Sequence, residues 1–242
     1  MKRISILCMA VLMSLCAFAE KGALVVHSPA TFQVMSVSPN GKWACGIIGD
    51  GSYTLIQGML VNIESGEFTY LSTIDKSTAF DVTDEGMVVG SYTDYEVTGN
   101  GMGTTVAGYY KDGQWHRLDN STIEGVLDIE GEAHAVSADG RTIVGYVMDG
   151  PKDSDLAPAK WVDGKLALIY DHDETVGNVS TVSADGTRAA GWSYKKSDMN
   201  RITTIWAGDS TTYISEFSSA FEVGYRFSPD GNKLACNQWG YP

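Results

Sequence analysis

Residues 133–146 read AHAVSADGRTIVGY, and residues 179–192 read VSTVSADGTRAAGW. The same frame recurs three more times, as VMSVSPNGKWACGI from Val34, AFDVTDEGMVVGSY from Ala79 and GYRFSPDGNKLACN from Gly224. The turn glycines Gly41, Gly86, Gly140, Gly186 and Gly231 are spaced 45, 54, 46 and 45 residues apart. A near-constant period in this range marks a chain built from repeated supersecondary units, so the repeat decides the fold class before any single residue does. The one long interval contains YEVTGNGMGTT, a loop insertion that leaves the register intact.

Each unit opens with alternation, as in His134 and Val136 against Ala135, turns at Ala138-Asp139-Gly140, and alternates again to Tyr146. That is a β-hairpin. Glycine closes it because that position takes a left-handed backbone, and the Asp or Asn before it accepts hydrogen bonds from nearby amides. A third apolar segment follows (GMLVNIESG, VAGYYKDG, APAKWVDG, TTIWAGD), then a tight turn and a fourth segment (EFTYL, QWHRL, KLALIY, TTYIS). Four short strands per period of about 45 residues describe a propeller blade. No long stretch has the 3.6-residue apolar spacing of an amphipathic helix. A β-sandwich would give no reason for five like turns at constant spacing.

Four periods are complete, and the fifth supplies two strands. The stretch GALVVHS, residues 22–28, is an apolar strand ahead of the first repeat. Pairing it with the fifth hairpin removes two exposed sheet edges. The expected fold is therefore an all-β, five-bladed β-propeller of four-stranded antiparallel blades, its last blade completed by the N-terminal strand. A ring closed by dimerisation is the alternative to this monomer.

The chain opens MKRISILCMAVLMSLCAFAE, with cations at Lys2 and Arg3, an apolar run, and small residues at Ala17 and Ala19. This pattern predicts a signal peptide over residues 1–19, cleaved after Ala19, leaving one domain over 20–242. Its apolar run is shorter than a membrane-spanning helix, and Leu15 before Cys16 suits lipidation poorly. The expected location is periplasmic, cell-surface or secreted. With 30 acidic and 17 basic residues the chain carries a net charge of −13, and loss of Lys2 and Arg3 makes it more acidic still. Nucleic acid and anionic membrane surfaces are thereby disfavoured as partners. Cys45 and Cys236 remain after cleavage; one disulfide or two free thiols both fit.

The run AHAVSADGRTIVGY followed by APAKWVDGKLALI resembles the HAF-type extracellular repeats of bacteria. FSPDGNKLAC is similar to the SPDG repeats of WD-like propellers such as the periplasmic protein of the Tol–Pal system. The resemblance spans residues 34–242 and implies the blade. It implies no active site, because propellers host many activities.

Short, uniform turns gather at one end of such a ring, and the variable second-to-third loops and blade links at the other. The variable end is where ligands are expected. Its candidate binding residues are Tyr92, Asp94, Tyr95, Trp192, Tyr194, Trp239 and Tyr241, because rings cover apolar ligand faces while carboxylates fix hydroxyls. Asn120 in a blade link joins the polar residues of that end. Trp192, Tyr146 and Tyr92 recur where second strands finish, whereas Trp161, Trp206 and Tyr110 share a third-strand position and should pack between blades.

Glycoside hydrolysis needs two carboxylates converging on the central funnel, and the candidates are Asp81, Glu132 and Glu222, with His134 and Arg226 nearby. The acidic loops Asp171–Thr175 and Asp149, Asp153, Asp155 lack the glycine and terminal Glu of an EF-hand, so no metal is assigned. No phosphate-cradling loop, zinc spacing or Ser-His-Asp elbow is present, and no cofactor is expected. The sequence thus favours a non-catalytic binding or interaction module for a glycan or protein ligand. The alternatives are a carbohydrate-active enzyme using funnel carboxylates and a structural envelope component.

Overall fold

The computed structural model describes residues 31–49, 56–72, 76–96, 103–120, 130–148, 156–169, 175–195, 201–218 and 222–238. Its first four blades are antiparallel sheets of four strands each. Blade 1 holds β1 (Thr31–Val37), β2 (Trp43–Gly49), β3 (Ile56–Asn62) and β4 (Phe68–Tyr70). Blade 2 holds β5 (Ser77–Val82), β6 (Val88–Asp94), β7 (Thr104–Lys111) and β8 (Gln114–Arg117). Blade 3 comprises β9 (Gly131–Val136), β10 (Thr142–Met148), β11 (Leu156–Val162) and β12 (Lys165–Leu168). Blade 4 comprises β13 (Thr175–Val182), β14 (Arg188–Lys195), β15 (Ile202–Ala207) and β16 (Ser210–Ser218). Blade 5 contributes β17 (Glu222–Phe227) and β18 (Leu234–Gln238). The chain is thus an all-β, five-bladed propeller, as the repeat predicts. The expected leader over residues 1–19 and the expected closing strand at residues 22–28 lie outside the described residues.

The hairpin turns show why the repeat is written as Ser-x-Asp-Gly. The Ser137 hydroxyl donates to Asp139 Oδ1 (2.6 Å) while its oxygen accepts from the Thr142 amide (2.9 Å). Asp139 Oδ1 also accepts from the Arg141 amide (3.0 Å), and Gly140, at φ +75°, donates its amide to Ser137 O (2.9 Å). One serine and one acid thereby satisfy the amides that a tight turn would leave without partners. Ser38–Asn40, Ser183–Asp185 and Ser228–Asp230 repeat the arrangement. The third-to-fourth-strand turns of blades 2 and 3 are also uniform: Asp112-Gly113 and Asp163-Gly164 all have positive φ, the geometry that matches strand twist. Arg141 reaches Asp163 through a two-pronged ion pair (2.8 and 2.7 Å), which places both kinds of turn at one end of the blade.

Blades pack face to face. Cys45, Leu60 and Leu71 of blade 1 bury against Ala79, Val82 and Val88 of blade 2, and Tyr110 closes the same cluster. Trp161 seals the next seam and Trp206 the one after, so the third-strand aromatics lie between blades as expected. Trp161 is completely buried, a transfer worth roughly 3 kcal/mol. Its indole N–H donates to Asn120 Oδ1 (2.8 Å), and that of Trp115 to Leu71 O (2.9 Å), so each ring also ties a blade to a link. Cys45 and Cys236 are free. Burial in the first seam pushes the Cys45 thiol far up, with Asp81 adding to the effect, and makes it inert.

Candidate functional site

The first strands β1, β5, β9, β13 and β17 lie next to one another around the axis. In each of the first four blades the pairing of first and second strands slips by one residue, between Val34 and Ser36, Ala79 and Asp81, Ala133 and Ala135 across β10, and Val179 and Thr181. The skipped residues are Met35, Phe80, His134 and Ser180. A bulge re-aims the side chain of its extra residue, and these four line one axial cavity of about 580 Å³, joined by Tyr225 and Arg226 of the fifth blade. Opposite each bulge stands a glycine, because a Cβ at Gly46, Gly90, Gly145 or Gly191 would lie about 2 Å from the facing carbonyl oxygen.

The cavity floor is a polar clasp. Asp81, 6 % exposed, accepts the Ser36 hydroxyl (2.6 Å) on Oδ1 and the Val136 amide (3.1 Å) on Oδ2. The Arg226 guanidinium donates to the Ser36 hydroxyl oxygen (3.0 Å) and stands 3.5 Å from Asp81 Oδ1. The clasp joins blades 5, 1, 2 and 3 across the axis. Beneath it a second cavity of about 410 Å³ opens toward the hairpin turns, with Pro39, Asp84, Ala138, Ala184 and Pro229 on its wall.

A second polar group lies higher on the wall. Glu132 accepts from His134 Nε2 at 3.2 Å and from the Ser91 hydroxyl at 3.5 Å, and the Tyr146 phenol also hydrogen-bonds it. Burial, and then the charge of Glu132, raises the Tyr146 phenol pKa well above its ordinary value. Phe80 holds the His134 ring edge-on at 4.7 Å. Two of the three funnel carboxylates named from the sequence, Asp81 and Glu132, are therefore spoken for by protein donors; the side chain of the third, Glu222, lies outside the described residues. No cluster of three metal-ligating side chains occurs among the described residues.

The expected binding residues form two separate groups. On blade 2, Tyr92 stacks on Trp115 (5.1 Å, 16°), its hydroxyl meets Asp94 (3.4 Å), and Arg117 lies 3.8 Å from the same carboxylate. Burial, with help from Asp94, pushes the Tyr92 phenol up to about 12. Tyr95 is 49 % exposed beside them. On blade 4, Trp192 lies nearly parallel to Tyr194 (6.0 Å, 9°), with the Arg201 guanidinium 3.9 Å above its ring. Blade 3 separates the two groups. Trp239, Tyr241 and the acidic loops at 149–155 and 171–174 lie outside the described residues.

Two sequence readings need correction. Tyr92 is not equivalent to Tyr146 and Trp192: aligning Gly90, Gly145 and Gly191 puts Ser91 opposite those rings, and Tyr92 one residue later points through the other face of its sheet. Asn120 is no ligand-facing residue, being 7 % exposed and engaged by Trp161. The reading also missed the bulged positions, whose only mark in the sequence is the glycine four or five residues beyond the turn.

No family model matches the chain, and no curated protein matches it. Among solved structures it is similar to TolB from Acinetobacter baumannii (14 % identity, TM-score 0.55), covering 86 % of this chain and 48 % of that one. A structure assigned as TolB from Agrobacterium tumefaciens gives 14 % identity and TM-score 0.56, over 86 % of this chain and 70 % of the other. The β-propeller domain of the Trilobed protease from Pyrococcus furiosus, described as having an open velcro topology, gives 12 % identity and TM-score 0.51 over 82 % and 62 %. The chain spans about half the length of the Acinetobacter TolB. At these identities the likeness establishes the propeller fold.

Proposed function

We propose that this chain is an exported, non-catalytic binding module that receives a glycan or protein ligand at the end opposite its hairpin turns. The observation that carries the reading is the axial cavity: four blades spend an extra residue to turn a side chain into it, and the fifth adds Tyr225. Tyr92, Asp94, Tyr95 and Tyr194, with Trp239 and Tyr241, are the rim residues assigned to the ligand; Trp192, 7 % exposed beneath Arg201, backs Tyr194 from within the fold. The HAF-like and SPDG-like repeats support membership of that broad propeller group, and its periplasmic examples support export.

The carbohydrate-active reading keeps one specific observation, the Glu132–His134 contact on the cavity wall. Against it stands the saturation of Asp81 by Ser36 and the Val136 amide, which fits a fastener better than a proton donor. Glycan and peptide arrays probed with the 20–242 chain test the proposal. Retained ligand without turnover, weakened by His134→Ala, is the expected result. Hydrolysis abolished by Asp81→Asn would instead establish the enzyme, and a stable multi-protein envelope complex without any small ligand would establish the structural role.

A further inference from the structure

The side chains that line the axial cavity include one cation in an otherwise acidic protein, with the carboxylates of Asp81 and Glu132 standing behind it. The chain carries 30 acids against 17 bases. Yet Arg226 is the one permanently charged group among the cavity's described lining residues. Its side chain is 57 % exposed, and among the described residues a single terminal nitrogen reaches Ser36 and Asp81. The 3.5 Å approach to Asp81 is longer than a charge-assisted hydrogen bond, which runs near 2.8 Å, so Asp81 leaves much of the guanidinium fork unspent.

The acids closest to the cavity do not repel a guest as strongly as their charge suggests. Both oxygens of Asp81 are turned toward protein donors, Ser36 on one and the Val136 amide on the other. Glu132 accepts from Ser91 and His134. The rest of the lining mixes apolar Val34, Met35, Val37 and Phe80 with Ser180, His134 and Tyr225, and Met35 and Val37 keep 40 % and 42 % of their surface exposed. One planar cation beside exposed apolar side chains fits a single planar anion carried on an apolar group. A dianionic phosphate would have to be desolvated against one cation already shared with Asp81, a poor balance.

We infer that the axial cavity binds a carboxylate borne on an apolar group, with Arg226 as its fork and Phe80 and Met35 against the apolar part. This rests on the binding-module reading and names the ligand chemistry of that same cavity. Such a carboxylate comes from a free aliphatic acid or from the C-terminus of a peptide ending in an apolar residue. Calorimetry with octanoate, octanamide, the tripeptide acetyl-Gly-Gly-Phe as free acid and as amide, and inorganic phosphate separates these.

Either free acid is expected to bind about tenfold or more tightly than its amide. Arg226→Gln should remove that preference, and Asp81→Asn, which frees the fork, should strengthen it. Because either change could disturb the clasp, Phe80→Trp supplies a second variant that fills the cavity and leaves Arg226 in place; it should lose both acids while the His134 ring resonances of the wild type shift on titration with them. Octanoate alone binding identifies a free acid as the source, and the peptide acid alone identifies a chain terminus. Equal affinity for acid and amide, phosphate competing as well as octanoate, or no binding up to about 10 mM overturns the assignment. Array ligands that still bind Arg226→Gln would leave the module standing and remove only its carboxylate specificity.

Discussion

At the scale of single residues, the costliest substitutions are not the ones a glycine's φ would point to. Gly113, at φ +85° with nothing near its missing Cβ, pays only backbone strain when changed to Ala, about 1 kcal/mol. Gly145 has ordinary φ, yet a Cβ there falls 1.9 Å from the Glu132 carbonyl oxygen. The strand or its bulge must move, so Gly145→Ala should cost about 2–3 kcal/mol, well above Gly113→Ala, when the two are compared by urea unfolding. It should also disturb the cavity, since His134 sits on the bulge that Gly145 accommodates. Trp161→Phe leaves Asn120 Oδ1 buried without its donor and opens a gap at the second seam, and the expected loss is again about 2–3 kcal/mol. If Trp161→Phe unfolds at the wild-type midpoint, the indole bond is not what fastens the link to blade 3.

At the scale of the element, the hairpin turn makes a pH prediction that the repeat itself controls. Hydrogen bonds from Ser183 and from the Thr187 amide and hydroxyl hold the Asp185 carboxyl down at about 2, and the same kind of contacts lower Asp139 and Asp230. A carboxyl whose folded pKa is depressed adds stability that is fully present above its unfolded value near 4 and disappears as pH falls through the folded value. The acid limb of the melting curve should therefore steepen between about pH 4 and 2. Blade 1 places Asn40 where these turns place Asp, and it accepts the same bonds from Ser38 and the Lys42 amide. Asp139, Asp185 and Asp230 changed together to Asn should keep the circular dichroism of the wild type and flatten that limb; an unchanged acid limb would mean that the turns do not govern acid stability. These turns were legible in the sequence because each carries an obligatory glycine and a side-chain acceptor at fixed spacing. The bulges were not, because the extra residue obeys no chemistry: Met35, Phe80, His134 and Ser180 share only a position. Tyr92 was misplaced for the related reason that a shift of one residue reverses the sheet face without altering the look of the motif.

At the scale of the whole molecule, the number of blades followed from counting periods, whereas the closure of the ring depends on a pairing that no repeat encodes. Among the described residues β18 has β17 on one side only, and a Cβ at Gly41 would meet nothing within 4 Å, whereas a Cβ at Gly86, Gly140, Gly186 or Gly231 would touch the blade before. Ala44, Met59 and Val61 are nonetheless buried on the face of blade 1 turned away from blade 2. Arg226 donates to Ser36 across this seam. An unpaired β18 would offer its amides to any other strand, the hazard that propellers avoid by closing. We expect residues 22–28 to supply the missing neighbour. Hydrogen exchange compares a chain of residues 20–242 with one beginning at residue 30: the amides of Leu234–Gln238 should exchange slowly in the first and quickly in the second, and the second should dimerise with rising concentration. Equal, slow exchange in two monomeric chains would rule out that segment as the closing strand. Slow exchange that depends on concentration in both would mean that a second copy covers the edge, making the dimer the closed form of the ring.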